Sequence, residues 1–464
     1  MDILVRVLQL IASLSILVLV HEFGHFIFAR IFHTRVEKFY LFFNPWFSLV
    51  TFQKINGKWQ TKFFVKGKDE ETDEEKATTK YGIGWLPLGG YVKISGMIDE
   101  SMDKNQMSLP PQPYEFRSKP AWQRLFIMIG GVMVNFILAF VLYIFILFHY
   151  GDEYLPAASV KNGIMCVDSL DYEIGLQNGD KILAVGNKKI EDFHDIVPEL
   201  LLNDPKTLLI SRNGQEISLN VKSETIGKII KQTKIRFSPR TPFIAASFSK
   251  ESNAQKAGML PDDKIIGIDT LKIEFFDEFK KYIANYKSKN VVLTVERNSQ
   301  EVKLNVFVSK EGTIGVYSQI DSRKFFEHKR EKYSFFQAIP AGIERGFVEV
   351  KNYLKQIKLI IFSPETKAYE SVGGFGAIAS IFPTELVIEI FWRLTALLSI
   401  MLAVVNLLPI PALDGGHVMF LLYEIISRRK PSLRVLEVAQ IIGMILLFAL
   451  LIYANGNDVM KLFR

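Results

Sequence analysis

Cysteine is nearly missing from this chain. Cys166 stands alone among 464 residues, so no intramolecular disulfide can form and any extracytosolic domain must be held by packing. Net charge is also small: 56 basic against 49 acidic residues leave +7. An excess of that size needs no nucleic acid to explain it, and a bias of basic residues towards one membrane face accounts for it. What abounds is apolar side chains, 49% of residues beside 23% charged, a mixture that fits a membrane protein carrying soluble modules. The length points to two to four domains.

Four stretches are long and apolar enough to cross a bilayer, which takes roughly 20 residues. They are 3–32, 121–148, 391–408 and 435–453. The first is read as a retained span and not a signal peptide, since only Arg6 precedes its apolar run and no small-residue cleavage site follows. Basic residues set the orientation. Arg30, Arg35 and Lys38 follow the first span, Arg117, Lys119 and Arg124 flank the second, and Arg428, Arg429, Lys430 and Arg434 separate the last two. Acidic Asp152, Glu153, Glu385 and Glu389 mark the opposite side. Both termini and the region 150–385 are therefore expected outside the cytosol.

That outer region holds an internal repeat. "GLQNGDKILAVGNKKIEDF" (175–193) aligns with "GMLPDDKIIGIDTLKIEFF" (258–276), and "ISRNGQEISLNV" (210–221) with "VERNSQEVKLNV" (295–306). Turn, strand, helix and strand recur in the same order, which predicts a duplicated α+β domain. Short helices are expected over 195–202 and 276–286. The turn "GLQNGDKI" resembles that of PDZ domains, which bind an extended chain at a sheet edge. A rigid spacer or steric filter that binds nothing fits the residues equally well.

Between the first two spans, "TFQKINGKWQTKFF" (51–64) alternates around Asn56-Gly57, a hairpin signal. The charged excursion at 66–80 reads as a solvated loop. In "GIGWLPLGGYVKISG" (82–96), glycines punctuate aromatic and β-branched residues, as in a bent strand next to a membrane site.

The chemistry is concentrated in His21-Glu22-Phe23-Gly24-His25. On a helix, positions i and i+4 share a face, so both imidazoles can reach one cation. Glu22 lies one residue along, where its carboxylate can act on a zinc-activated water as general base and then acid. Ionisable groups within a span are costly and persist mainly where they function. Catalytic zinc takes three protein ligands and keeps one position open. The first and third spans run in the same direction, so their ends share a depth. There "NLLPIPALDGGH" (406–417) breaks its helix at Pro409 and Pro411 and presents Asp414 as the third ligand, with His417 as a lower-ranked alternative.

Together, the HExxH span, "PLGGYVK" (87–93), Asn135 in the second span, the two PDZ-like copies and "NLLPIPALDG" (406–415) resemble the site-2 protease family, in its bacterial RseP-type branch. The resemblance covers nearly the whole chain; "GGVMVN" (130–135) departs from it by lacking a proline. It implies an intramembrane zinc metalloprotease of the bacterial inner membrane, with Zn2+ as cofactor. Its substrates would be single-pass membrane proteins of the anti-sigma-factor kind and residual signal peptides. Asn406, Gly89, Gly90 and Tyr91 would hold the substrate strand, and 51–96 would form a membrane-associated β region.

The expected fold is a polytopic α-helical membrane protein with four transmembrane helices, that β region and two tandem PDZ-like α+β domains. Its divisions are a first span over 1–33, a cytosolic-side region over 34–120 and a second span over 121–149. PDZ-like copies follow over 150–228 and 229–320, then an amphipathic segment over 321–385. The third span with its LDG motif covers 386–417, and a loop with the fourth span covers 418–464. Two other readings compete: a membrane-anchored zinc peptidase acting on soluble peptides, and a PDZ scaffold whose zinc is structural.

Overall fold

The computed structural model describes residues 2–66, 77–87, 89–97, 110–203, 206–231, 237–362 and 373–462. Most of the charged excursion, 67–76, and Leu88 fall outside them. The chain forms two compact units, one comprising Met1–Gly151, Lys332–Ile357 and Val372–Arg464, the other Asp152–Glu331 and Lys358–Ser371.

In the first unit, four helices are long and apolar enough to cross a membrane: α1 (Asp2–Ile31), α2 (Ala121–His149), α5 (Ile388–Leu407) and α7 (Leu433–Leu462). Between them lie α3 (Phe335–Phe362), α4 (Phe375–Ser380) and α6 (Asp414–Ser427). α6 corrects the reading of 418–427 as loop. Its Val418 and Leu421 repeat at helical spacing and are buried against α2 residues Ile127 and Met128. α3 lies within the amphipathic segment expected over 321–385. It meets α2 through Gly342 and Gly346, where an added Cβ would lie 2.6 Å from Ile144 and 2.0 Å from Phe140.

Glycine also lets α1 and α2 touch. A Cβ on Gly24 would lie 2.3 Å from the Gly130 carbonyl oxygen, and one on Gly130 2.7 Å from that of Gly24. Any larger residue would push the helices apart at the depth of the HExxH motif.

Five strands follow α1: β1 (Val36–Leu41), β2 (Phe43–Ile55), β3 (Lys58–Lys66), β4 (Lys80–Leu86) and β5 (Tyr91–Ile94). Their order is β3-β2-β4-β1-β5, with β1 and β4 parallel and every other pair antiparallel. The expected hairpin joins β2 to β3, with Asn56 at φ 51° and Gly57 at φ 75°, both left-handed as a two-residue turn requires. Among the described residues β5 pairs with β1 alone, so it forms an edge of this sheet.

The second unit bears out the duplication. Each copy has a four-stranded sheet: Gln215–Asn220, Thr207–Arg212, Lys181–Val185 and Lys188–Lys189 in the first, and Gln300–Phe307, Asn290–Arg297, Lys264–Ile268 and Leu271–Lys272, in matching order, in the second. Each has its own apolar core and a short helix where one is expected, Ile196–Leu202 and Phe276–Ile283. An ion pair on a buried aspartate recurs as well. Arg212 grips Asp180 through two bonds of 2.8 Å, and Arg297 grips Asp263 through bonds of 2.8 and 2.7 Å. Each arginine also donates to a glycine carbonyl, Gly175 or Gly258. These groups fix the turn that carries the repeat. The strand Phe237–Pro239 pairs with Ile164–Cys166 of the first copy, so that copy extends past the division drawn at 228.

Candidate active site

α1 brings His21 and His25 onto one buried face, as the i, i+4 spacing dictates. Their ring centroids are 4.9 Å apart and their Nε2 atoms 3.3 Å apart. The third member arrives from nearly four hundred residues downstream. α5 stops at Leu407, and the segment with Pro409 and Pro411 turns back through Ala412, a non-glycine residue at φ 75°. α6 then starts at Asp414. A carboxylate in the first turn of a helix is favoured by the helix dipole. Asp414 Oδ2 lies 3.0 Å from His21 Nε2 and 3.3 Å from His25 Nε2.

These three donors are the metal-capable group found among the described residues. They fit zinc. Donors around a tetrahedral zinc with bonds of about 2.0–2.1 Å sit about 3.3 Å from each other, which is the spacing seen here. Asp414 Oδ2 is buried without a hydrogen-bond partner, an arrangement a cation would relieve. Tautomers agree too. His25 Nδ1–H donates to the Ile127 carbonyl at 2.8 Å, which leaves the Nε2 lone pair facing Asp414. The Asn135 side-chain amide sits 3.2 Å from His21 Nδ1, and its own Oδ1 is buried without a partner. Turning that amide over lets Oδ1 accept the Nδ1 proton, satisfying both groups and freeing His21 Nε2. Ser399 Oγ donates to the Asn135 carbonyl at 2.8 Å and ties this support to α5.

Glu22 stands beside this set without joining it, facing the Val92 backbone N–H of β5. A cavity of about 760 Å³ opens here. The sheet lines it through Asn44, Gly90, Tyr91, Val92 and Lys93, and the Ala412–Asp414 turn, His417 and Gln440 line it from the helices. Gly90 and Tyr91 thus border the site, with the Tyr91 hydroxyl donating to Asn44 at 3.0 Å. Gly89, at φ 147°, lines a neighbouring apolar groove along α1 with Leu14 and Val18. Asn406 reaches the centre itself, its amide 3.3 Å from His21 Nε2. His417 borders the cavity outside the converging trio.

Sequence reasoning attached no chemistry to Asn135, to the glycines of α2 or to Gln440. A Cβ on Gly131 would come within 2.5 Å of His25 Nε2 and 2.7 Å of His21 Cε1, so α2 forms the floor of the site only because that residue is bare. The available signal was polarity inside spans, since Asn135 is fully buried in an apolar helix.

Comparison with known proteins gives the family. Peptidase family M50 matches residues 9–68 and 71–450. The regulator of sigma-E protease RseP of Escherichia coli K12 is 26% identical over 97% of this chain and 98% of its own length. RseP of Salmonella typhimurium is 26% identical over the whole of both chains. A Rickettsia conorii protein named as a zinc metalloprotease is 25% identical over 99% of this chain and 100% of its own. With a family match over almost its full length, membrane-capable helices and three converging zinc-type donors, the chain belongs to peptidase family M50, the site-2 proteases, and is an intramembrane zinc metalloprotease.

Proposed function

We propose that the chain hydrolyses peptide bonds inside the membrane-spanning segments of single-pass proteins, with His21, His25 and Asp414 holding the zinc and Glu22 moving the proton. The observation that carries this is the meeting of Glu22 with the free edge of β5 at the wall of the cavity. When bound, zinc supplies Lewis-acid chemistry, polarising a carbonyl and acidifying water. Glu22 takes the proton that the attacking water sheds and returns it to the departing amine nitrogen. A substrate helix must give up its own hydrogen bonds to expose a peptide bond, and in lipid each lost bond is costly. Main-chain bonds to β5 offset that loss. Tyr91 and Gly90 lie along this strand and Gly89 at its entrance, while Asn406 helps hold the chain near His21.

The basic-residue bias supports an orientation in the bacterial inner membrane with both termini and the duplicated domains outside the cytosol and the site towards its inner side. Substrates of the anti-sigma-factor kind and signal-peptide remnants fit this reading, and relatives are named as regulators of sigma-E. The test is cleavage by the purified enzyme in detergent. A transmembrane peptide should be cut within its span and lose cleavage on chelation; an enzyme that cuts only soluble peptides would overturn the reading.

The duplicated domains are proposed as PDZ-like modules that keep out substrates with bulky outer domains, since they form a separate unit placed in sequence between the second and third spans. A variant lacking 155–310 should cut untrimmed substrates as readily as trimmed ones. If untrimmed substrates stayed intact, the filter idea would fail.

A further inference from the structure

α7 contributes one polar side chain between Val438 and Ile452, Gln440, and the rest of that stretch is apolar. Seven residues from the helix start, at 1.5 Å per residue, it lies about 10 Å along the span. Gln440 is 6% exposed, and it lines the cavity of the candidate site. A carboxamide buried in an apolar span is costly, and such groups persist chiefly where they bind something. It cannot be dismissed as lipid-facing. Gly443, one turn on and on the same face, is packed so closely that a Cβ there would lie 1.8 Å from the Pro411 carbonyl oxygen. That contact turns the face of α7 bearing Gln440 towards the 409–413 turn, and Gln440 lines the cavity together with Glu22, Asp414 and β5.

We propose that Gln440 is a substrate-binding residue whose carboxamide pairs with a main-chain peptide group of the unwound substrate strand. A carboxamide offers one carbonyl and one N–H side by side, the complement of a peptide group, so the contact is independent of the substrate's side chains. The strand is then gripped from two walls: β5 on the sheet side, Gln440 on the α7 side. This rests on the reading of β5 as the substrate-pairing edge.

The experiment measures binding apart from turnover. A fluorescently labelled transmembrane peptide that the wild-type enzyme cuts is titrated, in detergent, against Glu22→Gln and against Glu22→Gln/Gln440→Leu. The second variant should bind about tenfold more weakly, the loss of one or two hydrogen bonds. Its zinc content should be unchanged and its unfolding temperature equal or higher, because leucine suits an apolar span. In the active enzyme, Gln440→Leu should raise KM with a smaller change in kcat. Equal affinities would overturn the proposal, as would weaker binding that comes only with zinc loss or a lowered unfolding temperature in both Gln440→Leu and Gln440→Met. A Glu22→Gln enzyme that still cleaves would refute the proton-transfer role of Glu22 alone. The affinity of the Gln440→Leu single variant, measured on an uncleavable peptide, would then decide this proposal by the same criterion.

Discussion

Replacing Glu22 with Gln is expected to lower kcat by about 10³-fold or more while zinc stays bound. General acid–base groups contribute roughly 10²–10⁴-fold, and Glu22 is assigned both halves of the proton transfer. The carboxamide has nearly the same shape, and its carbonyl oxygen can still accept from the Val92 N–H that faces Glu22. What it lacks is a basic oxygen able to take a proton. Since the converging donors are His21, His25 and Asp414, the metal should not depend on this side chain. Metal analysis and single-turnover cleavage on one preparation check both halves of the claim. Unchanged cleavage would remove Glu22 from the mechanism, and loss of zinc with loss of activity would make it a structural support for the metal.

The second large effect is expected at Asp414. Asp414→Ala leaves two imidazoles, and zinc affinity should fall by more than about 100-fold, since disturbing only the outer partners of metal ligands already costs roughly 10–100-fold. Competition with a chelator of known affinity measures it. The control is His417→Ala. His417 borders the cavity but stands outside the trio, so its loss should leave zinc bound. The reverse pattern, zinc lost from His417→Ala and kept by Asp414→Ala, would show that the wrong residue of the LDGGH segment has been assigned to the metal.

The HExxH motif was readable because it obeys a local rule: helical spacing alone places His21 and His25 together. The duplicated domain was readable for a related reason. Two copies of one pattern report a shared fold even when neither reveals its ligand, and the paired Asp–Arg grips lie inside the aligned segments. Asp414 required one further step, the common direction of two spans. The rest depends on contacts that no local pattern encodes. Nothing near Asn135 says that its amide meets His21, and nothing near Gly131 says which imidazoles fill the space over it. The parallel pairing of β1 with β4 joins strands separated by a whole hairpin. The part of α6 beyond 417 is expected as loop from the sequence, whereas burial of Val418 and Leu421 against α2 decides the outcome.

The five-stranded sheet has two edges with different protection. A bare edge invites strand-to-strand addition of another chain, and proteins usually blunt it with charge, proline or cover. β3 follows that practice, carrying exposed Lys58, Lys62 and Lys66 along its length. β5 carries a single lysine, Lys93, which is paired with Glu37 at 3.2 Å, and its residues border a cavity walled on the other side by the Ala412–Asp414 turn and α7. Enclosure does for β5 what lysine does for β3. On the proposed reading, such enclosure would keep two copies meeting in the membrane from stitching their sheets together while leaving β5 open to a single extended chain.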